Sequence, residues 1–173
     1  VHTAFFALIF SALHVWAVYR VKKETISKLV YLALVMLIAL ALSQIVTNVM
    51  KNVWTRQRFR NLDIGNGGTS SEGFTPWYKP GLGKNKEAAL YYAYKSFPSG
   101  HTCGAAMSLC LIVLPETFDK LKKYKVWFWI APIVYTVLVA ISRIVNRAHY
   151  LSDVLFGGTI GALGVFAAIG IMN

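Results

Sequence analysis

Four stretches of this chain, Val1–Tyr19, Leu29–Met50, Val126–Val145 and Ser152–Met172, are apolar almost without interruption. Each is close to the roughly 20 residues that a helix needs to cross the hydrocarbon core of a bilayer. Lipid offers no partner to a backbone amide or carbonyl, so a segment of this kind has to satisfy its hydrogen bonds within itself, as a helix does. A fifth stretch, Ser99–Pro115, is shorter. It opens on polar Ser99, Gly100, His101 and Thr102 and then runs apolar through Leu114, the pattern of a helix whose first turn faces a watery site. The expected fold is all-α: a polytopic transmembrane helix bundle, one membrane-embedded domain over residues 1–173 with five spans in hand. The chain begins at Val1 and not at methionine, and a sixth span is expected ahead of it. The first apolar run is too long for a secretory signal and lacks a small-residue cleavage site.

Charge narrows the partners. Only 14% of residues are charged, yet 18 Lys and Arg stand against 7 Asp and Glu, a net charge of +11. Such a balance favours an anionic partner. In a chain that is 56% hydrophobic with a mean hydropathy of +0.51, phosphate and anionic lipid headgroups fit better than nucleic acid. Cys103 and Cys110 lie seven apart in one apolar run, where a helix separates their Cα atoms by roughly 10 Å, beyond disulfide reach.

The connections are of two kinds. Two are short and basic, Arg20–Lys28 and Glu116–Lys125; two carry unusual chemistry, the long loop 51–98 and the segment Arg143–Asp153. If every span crosses fully, the two short links lie on one face and the two chemical segments on the other. Residues distant in sequence therefore converge at one membrane surface. The dense clusters Arg20/Lys22/Lys23/Lys28 and Lys120/Lys122/Lys123/Lys125 read as cytoplasmic. The chemical face is then periplasmic, extracellular or lumenal. The long loop is rich in glycine and proline, with a short helix expected at Lys86–Tyr94, and Trp77, Tyr78, Tyr91, Tyr92 and Tyr94 are expected at headgroup level. Gly157, Gly158, Gly161 and Gly164 in the last span suggest close helix packing within the bundle.

On the chemical face, His149 and Asp153 are four apart, a spacing that puts them on one helix face. A carboxylate on one imidazole nitrogen fixes the tautomer and makes the other nitrogen a better base or nucleophile. An interfacial histidine beside a capping aspartate has the same spacing. Pro98-Ser99-Gly100-His101 begins the fifth span. Proline and an N-cap serine are ordinary start signals, but Gly100 and His101 are not needed for that. A helix start with free amides can hold an anion, and a histidine there can give a proton to a leaving oxygen. Lys51 and Arg58 close the set at the exit of the second apolar run, with Arg56 and Arg60 beside them; alone, such cations are as consistent with anchors at the headgroups. Parity places Lys51, Arg58, Ser99, Gly100, His101, Arg143, His149 and Asp153 together, a set of cations, amides, histidines and one carboxylate suited to phosphate chemistry. His2 and His14 are read as packed or interfacial.

These residues resemble the three-part signature of the type 2 phosphatidic acid phosphatase superfamily. The first part, Lys-x6-Arg-Pro, stands as Lys51 to Arg58, with Phe59 in place of the usual proline. Pro-Ser-Gly-His is complete at Pro98–His101, and Ser-Arg-x5-His-x3-Asp is complete from Ser142 to Asp153. The resemblance implies a membrane-bound lipid phosphatase of the bacterial branch; with the basic links read as cytoplasmic, the expected location is a bacterial inner (plasma) membrane with the site on the periplasmic or extracellular face. In such an enzyme His149 attacks phosphorus, Asp153 orients His149, and His101 protonates the leaving alkoxide. Lys51, Arg58, Arg143 and the amides near Ser99 and Gly100 hold the phosphoryl oxygens. No cofactor is implied, and no carboxylate cluster suggests a divalent metal. The implied partners are the bilayer and a lipid phosphate. Two rivals use the same residues: a phosphotransferase in which an alcohol intercepts the phosphohistidine, and a silent lipid-phosphate binder or transporter component.

Overall fold

A computed structural model describes residues 22–81 and 92–173, and among them every regular element is helical. The α-helices are α1 (Lys23–Trp54), α2 (Gly100–Ala106), α3 (Val113–Thr117), α4 (Lys125–Val145) and α5 (Leu151–Met172). Among the described residues three segments are long and apolar enough to cross a membrane: α1, α4 with the 3-10 turn before it, and α5. The protein is an integral membrane helix bundle. The expected span Val1–Tyr19 lies outside the described residues. So does most of the expected helix Lys86–Tyr94, whose described end, Tyr92–Tyr94, is a 3-10 turn.

The expected span Ser99–Pro115 is helical but not one α-helix. It runs as α2, a 3-10 stretch Met107–Ile112, and α3. Two residues account for the tightening. Ser108 turns its hydroxyl back onto the Ala105 carbonyl at 2.7 Å. Pro115 has no amide to give to the carbonyl of Leu111. With the 3-10 residues rising about 2.0 Å each and the α residues about 1.5 Å, the three pieces add up to a rise of about 30 Å, enough for the hydrocarbon core.

Small residues set how closely the helices meet. On α1, Val35, Ala39, Ser43 and Thr47 recur every fourth position and are all buried. On α5, a Cβ added at Gly164 would collide with the Ser43 hydroxyl, and one at Gly161 would lie 2.5 Å from the Cys103 carbonyl and 2.7 Å from the Ala106 methyl. One at Gly157 would collide with the Ser99 carbonyl. The glycines of the last span thus pack α5 inside the bundle, against α1 and α2. Below this seam Val35, Ala39, Leu109, Cys110, Val165 and Ala168 form the apolar core. Both cysteines are free and buried. Outward-facing Leu37, Ile45, Val126 and Leu138 are each at least 60% exposed, as lipid-facing side chains are.

The described part of the long loop is tied down over the end where α1 and α4 finish and α2 and α5 start. Trp54 donates its indole N–H to the Trp77 carbonyl at 2.6 Å. The rings of Trp54, Phe97, Phe156 and Trp77 follow one another at centroid distances of 5.4, 5.0 and 5.1 Å. Trp77, Tyr78 and Tyr92 remain exposed, consistent with a headgroup-level position.

Candidate active site

α1 stops at Thr55, whose left-handed backbone (φ 43°) turns the chain out of the helix one turn after Lys51. Arg56 to Arg58 then run beside residues 93–96: the Arg58 amide donates to Ala93 O at 2.8 Å and the Ser96 amide to Arg56 O at 3.0 Å. Arg58 adopts φ −71° and ψ 143°, the extended conformation that a following proline would require. Phe59 therefore keeps the backbone path without the proline ring, and its own ring meets Tyr150 edge-on at 5.7 Å.

This pairing aims two cations at one space. Lys51 Nζ donates to Pro98 O at 2.7 Å and to Lys95 O at 3.1 Å. Arg58 Nε donates to Tyr92 O at 3.1 Å, and its guanidinium stacks over the Tyr92 ring at 3.9 Å. Lys51, Arg58, Gly100, His101 and His149 line a cavity of about 310 Å³, together with Gln44, Thr47 and Tyr92. His101 sits on the first turn of α2 and is exposed.

His149 precedes α5 instead of lying on it. The chain leaves α4 through Asn146 and Arg147, the latter at φ 51°, and the Ala148 amide bonds back to Arg143 O at 3.1 Å. Arg147 secures this turn by donating to Gly65 O at 2.8 Å, and its carbonyl accepts from the Arg60 amide at 2.8 Å.

The closest partner of the His149 ring is the Ser96 carbonyl, 2.8 Å from Nδ1; the Asp153 carboxylate lies 3.5 Å from the same nitrogen. A carbonyl can only accept, so Nδ1 carries the proton and Nε2 the lone pair. The pair expected from the i,i+4 spacing is present but secondary. Asp153 is bonded more closely to Ser96, whose hydroxyl donates to Asp153 Oδ2 at 2.5 Å. The Tyr150 amide donates to the same oxygen at 3.0 Å, closing the N-terminus of α5. Oδ1 pairs with Arg56 at 2.6 Å.

Burial holds the His149 imidazole below its ordinary pKa. The charges of Arg58 and Lys51 push the same way, and Asp153 opposes them. Burial likewise pushes the Tyr150 phenol up to about 12.

Three expected residues stand outside the cavity lining. Ser99 is fully buried; its hydroxyl caps the Thr102 amide and its own amide donates to Asp153 O at 2.8 Å, so neither is free for a ligand. Asp153, fully buried, lies behind His149. Arg143 Nε donates to its neighbour Ser142 Oγ at 3.2 Å.

Arg56 and Ser96 are the residues that sequence reasoning undervalued. Arg56 is 3% exposed, donates to Thr75 O and Ser152 Oγ as well as to Asp153, and stacks on the Tyr150 ring at 3.9 Å. Gln44 and Thr47 carried a readable signal: with Lys51 they repeat at i, i+3 and i+7, a polar line along the C-terminal turns of α1. Among the described residues no group of three or more His, Cys, Asp or Glu is arranged to hold a metal ion.

Residues 32–173 match the PAP2 superfamily. The chain is 39% identical over 77 residues to phosphatidylglycerophosphatase B of Bacillus subtilis (strain 168), a stretch covering 43% of this chain and 38% of that protein. It is 34% identical over 101 residues to a PA-phosphatase related-family protein of Dictyostelium discoideum, covering 54% of this chain and 37% of the relative. The matched stretches thus span less than two-fifths of either relative's length. No solved structure matches the chain. Because the family match takes in most of the chain and every residue of the cavity from Gln44 to His149, this chain belongs to the PAP2 superfamily.

Proposed function

We propose that the protein is a membrane phosphatase that hydrolyses the phosphomonoester or diphosphate of a lipid through a phosphohistidine at His149 Nε2. The observation that carries this reading is the fixed tautomer of His149 beside Lys51 and Arg58, in a cavity that His101 also lines.

Nε2 donates its lone pair to phosphorus as the bond from phosphorus to the leaving oxygen breaks, and protonated His101 gives its proton to that oxygen. Neutral His101 then takes a proton from water, whose oxygen attacks phosphorus and displaces His149. Inorganic phosphate leaves. Phosphoryl transfer concentrates charge on the equatorial oxygens, where Lys51 and Arg58 of the cavity wall stabilise it; a part for Arg143 there rests on the family resemblance alone. The Gly100 end of α2 adds backbone amides at the same place. No step calls for a metal ion.

The lipid stays in the bilayer while its headgroup enters the cavity. Candidate substrates are phosphatidic acid, phosphatidylglycerol phosphate, undecaprenyl diphosphate and the phosphates of lipid A; the name of the Bacillus relative favours the second. The location proposed is a bacterial inner membrane with the cavity on the periplasmic side.

The test is phosphate release by purified protein in detergent with excess EDTA, from each of the four lipids, for wild type and His149→Ala. Release from one lipid that disappears in the variant is expected. Release that survives His149→Ala, or that needs an added divalent cation, overturns the reading.

A further inference from the structure

Gly158 is the one glycine between Gly157 and Gly164 on α5 that close helix packing does not require. A Cβ added there would lie 3.7 Å from Thr102 Cγ2 and 3.9 Å from Thr136 Cγ2, ordinary contact distances, whereas Gly157, Gly161 and Gly164 each face a collision. Glycine costs a helix interior about 1 kcal/mol relative to alanine, so its presence at 158 calls for another cause.

That cause is a second cavity, also of about 310 Å³, between α4 and α5, with Gly158 in its lining. Its walls are hydrocarbon. Ile141, Ile144, Leu151 and Leu155 contribute aliphatic chains. The three threonines that line it have spent their hydroxyls elsewhere: Thr102 on Ser99 Oγ at 3.0 Å, Thr136 on Pro132 O at 2.8 Å and Thr159 on Leu155 O at 3.0 Å. The rim residues Ile141 and Leu155 are 51% and 60% exposed, so the groove opens sideways from two membrane-spanning helices. From Thr136 to Ile144 it runs along about 12 Å of α4.

The upper end adjoins the phosphate cavity. Thr102 lines the groove and His101, the residue before it, lines the cavity. On α4, Ile144 at the last turn lines the groove, at the same end of the bundle as the cavity. A hydrocarbon slot open to the bilayer beside a polar cavity lined by Lys51 and Arg58 matches the two halves of a phosphorylated amphiphile.

We infer that this groove seats a hydrocarbon chain of the lipid whose phosphate enters the cavity, and that Gly158 sets its width; this rests on the phosphatase reading above. Chain preference would then be written on α4 and α5, apart from the residues that grip phosphate.

The test compares kcat/KM for dibutanoyl and dioleoyl phosphatidic acid in detergent, for wild type, Gly158→Ala and Gly158→Leu. Gly158→Leu should lower kcat/KM for the dioleoyl lipid at least tenfold, mainly through KM, while turnover of the dibutanoyl lipid stays at wild-type level; discrimination of this size is what a filled apolar pocket gives. Gly158→Ala, whose methyl meets no clash but narrows the groove, should lower kcat/KM for the dioleoyl lipid by less than the leucine variant does, and its melting at or above the wild-type midpoint shows that the position tolerates a side chain. Equal loss on both lipids, or no loss on either, overturns the groove while leaving the phosphatase standing. A wild type that releases phosphate from neither lipid, nor from any of the three other candidates, removes the phosphatase reading and this inference with it.

Discussion

Arg56 and Asp153, ninety-seven positions apart, form an ion pair at 2.6 Å with side-chain exposures of 3% and 0%. This pair joins the exit of α1 to the start of α5 beneath His149. Removing one member of a buried pair strands the other, at a typical cost of roughly 3–5 kcal/mol. Arg56→Met is therefore expected to lower the unfolding midpoint in detergent sharply and to abolish phosphate release. Arg56→Lys keeps a charge but loses the fork that reaches Thr75, Ser152 and Asp153 together, and should fall between the two. Unchanged melting in Arg56→Met would show that the pair does not hold this end of the bundle.

Ser96 offers a finer cut. Its carbonyl accepts from His149 while its hydroxyl ties it to Asp153. Ser96→Ala keeps the carbonyl and removes the tie, leaving one buried carboxylate oxygen short of a donor, at a cost of about 1–3 kcal/mol. The expected kinetic signature is a lower kcat with little change in KM, because substrate contacts are untouched while His149 is held less firmly. A change confined to KM would assign Ser96 to binding instead.

These two residues mark where reading the sequence stops. The long spans, their alternation and the convergence of Lys51, His101 and His149 follow from apolar run length and parity, both properties of the chain alone. The i,i+4 spacing of His149 and Asp153 was legible too, but not that His149 lies ahead of the helix, since that depends on the left-handed turn at Arg147 and its hold on Gly65. Arg56 looked like one more anchor among neighbouring arginines, because burial of a cation is decided by what the distant loop brings to it. Ser99 looked like a ligand and is a cap whose amide is taken by Asp153. Local pattern assigns elements; the polar partners inside them are chosen by tertiary contact.

The pH profile carries the environment of His149. Attack needs the neutral ring, and burial keeps its pKa below the ordinary value of 6.5. The acid limb of kcat/KM should therefore lie below pH 6.5, the activity holding as pH falls past that point and dropping only lower down. Stability follows the same sign. The unfolded chain takes up a proton at the ordinary value and the folded chain at a lower one, so this contribution is fully present above pH 6.5 and is lost as pH falls through the folded value. His149→Gln should flatten the melting midpoint across that window relative to wild type. An acid limb above pH 6.5 would mean that the ring titrates in a more open or more negative setting than its burial describes.

The glycines of α5 give the last prediction, because they test packing apart from chemistry. Gly157 faces the Ser99 carbonyl so closely that a methyl cannot fit without moving backbone, and the displaced backbone is the start of α2 that carries Gly100 and His101. Gly157→Ala is expected to cost about 1–3 kcal/mol, the usual range for overpacking, and to reduce kcat although residue 157 does not line the cavity. Gly170 lies on the same helix with none of the described residues within 4 Å of an added Cβ. Gly170→Ala should leave activity intact and raise the midpoint slightly, through the better helix propensity of alanine. Melting curves and phosphate release measured on the two variants side by side separate a close-packing requirement from a general intolerance of side chains on this helix. If both lose activity equally, α5 is sensitive along its whole length and the contact with Ser99 has no special part in holding the start of α2.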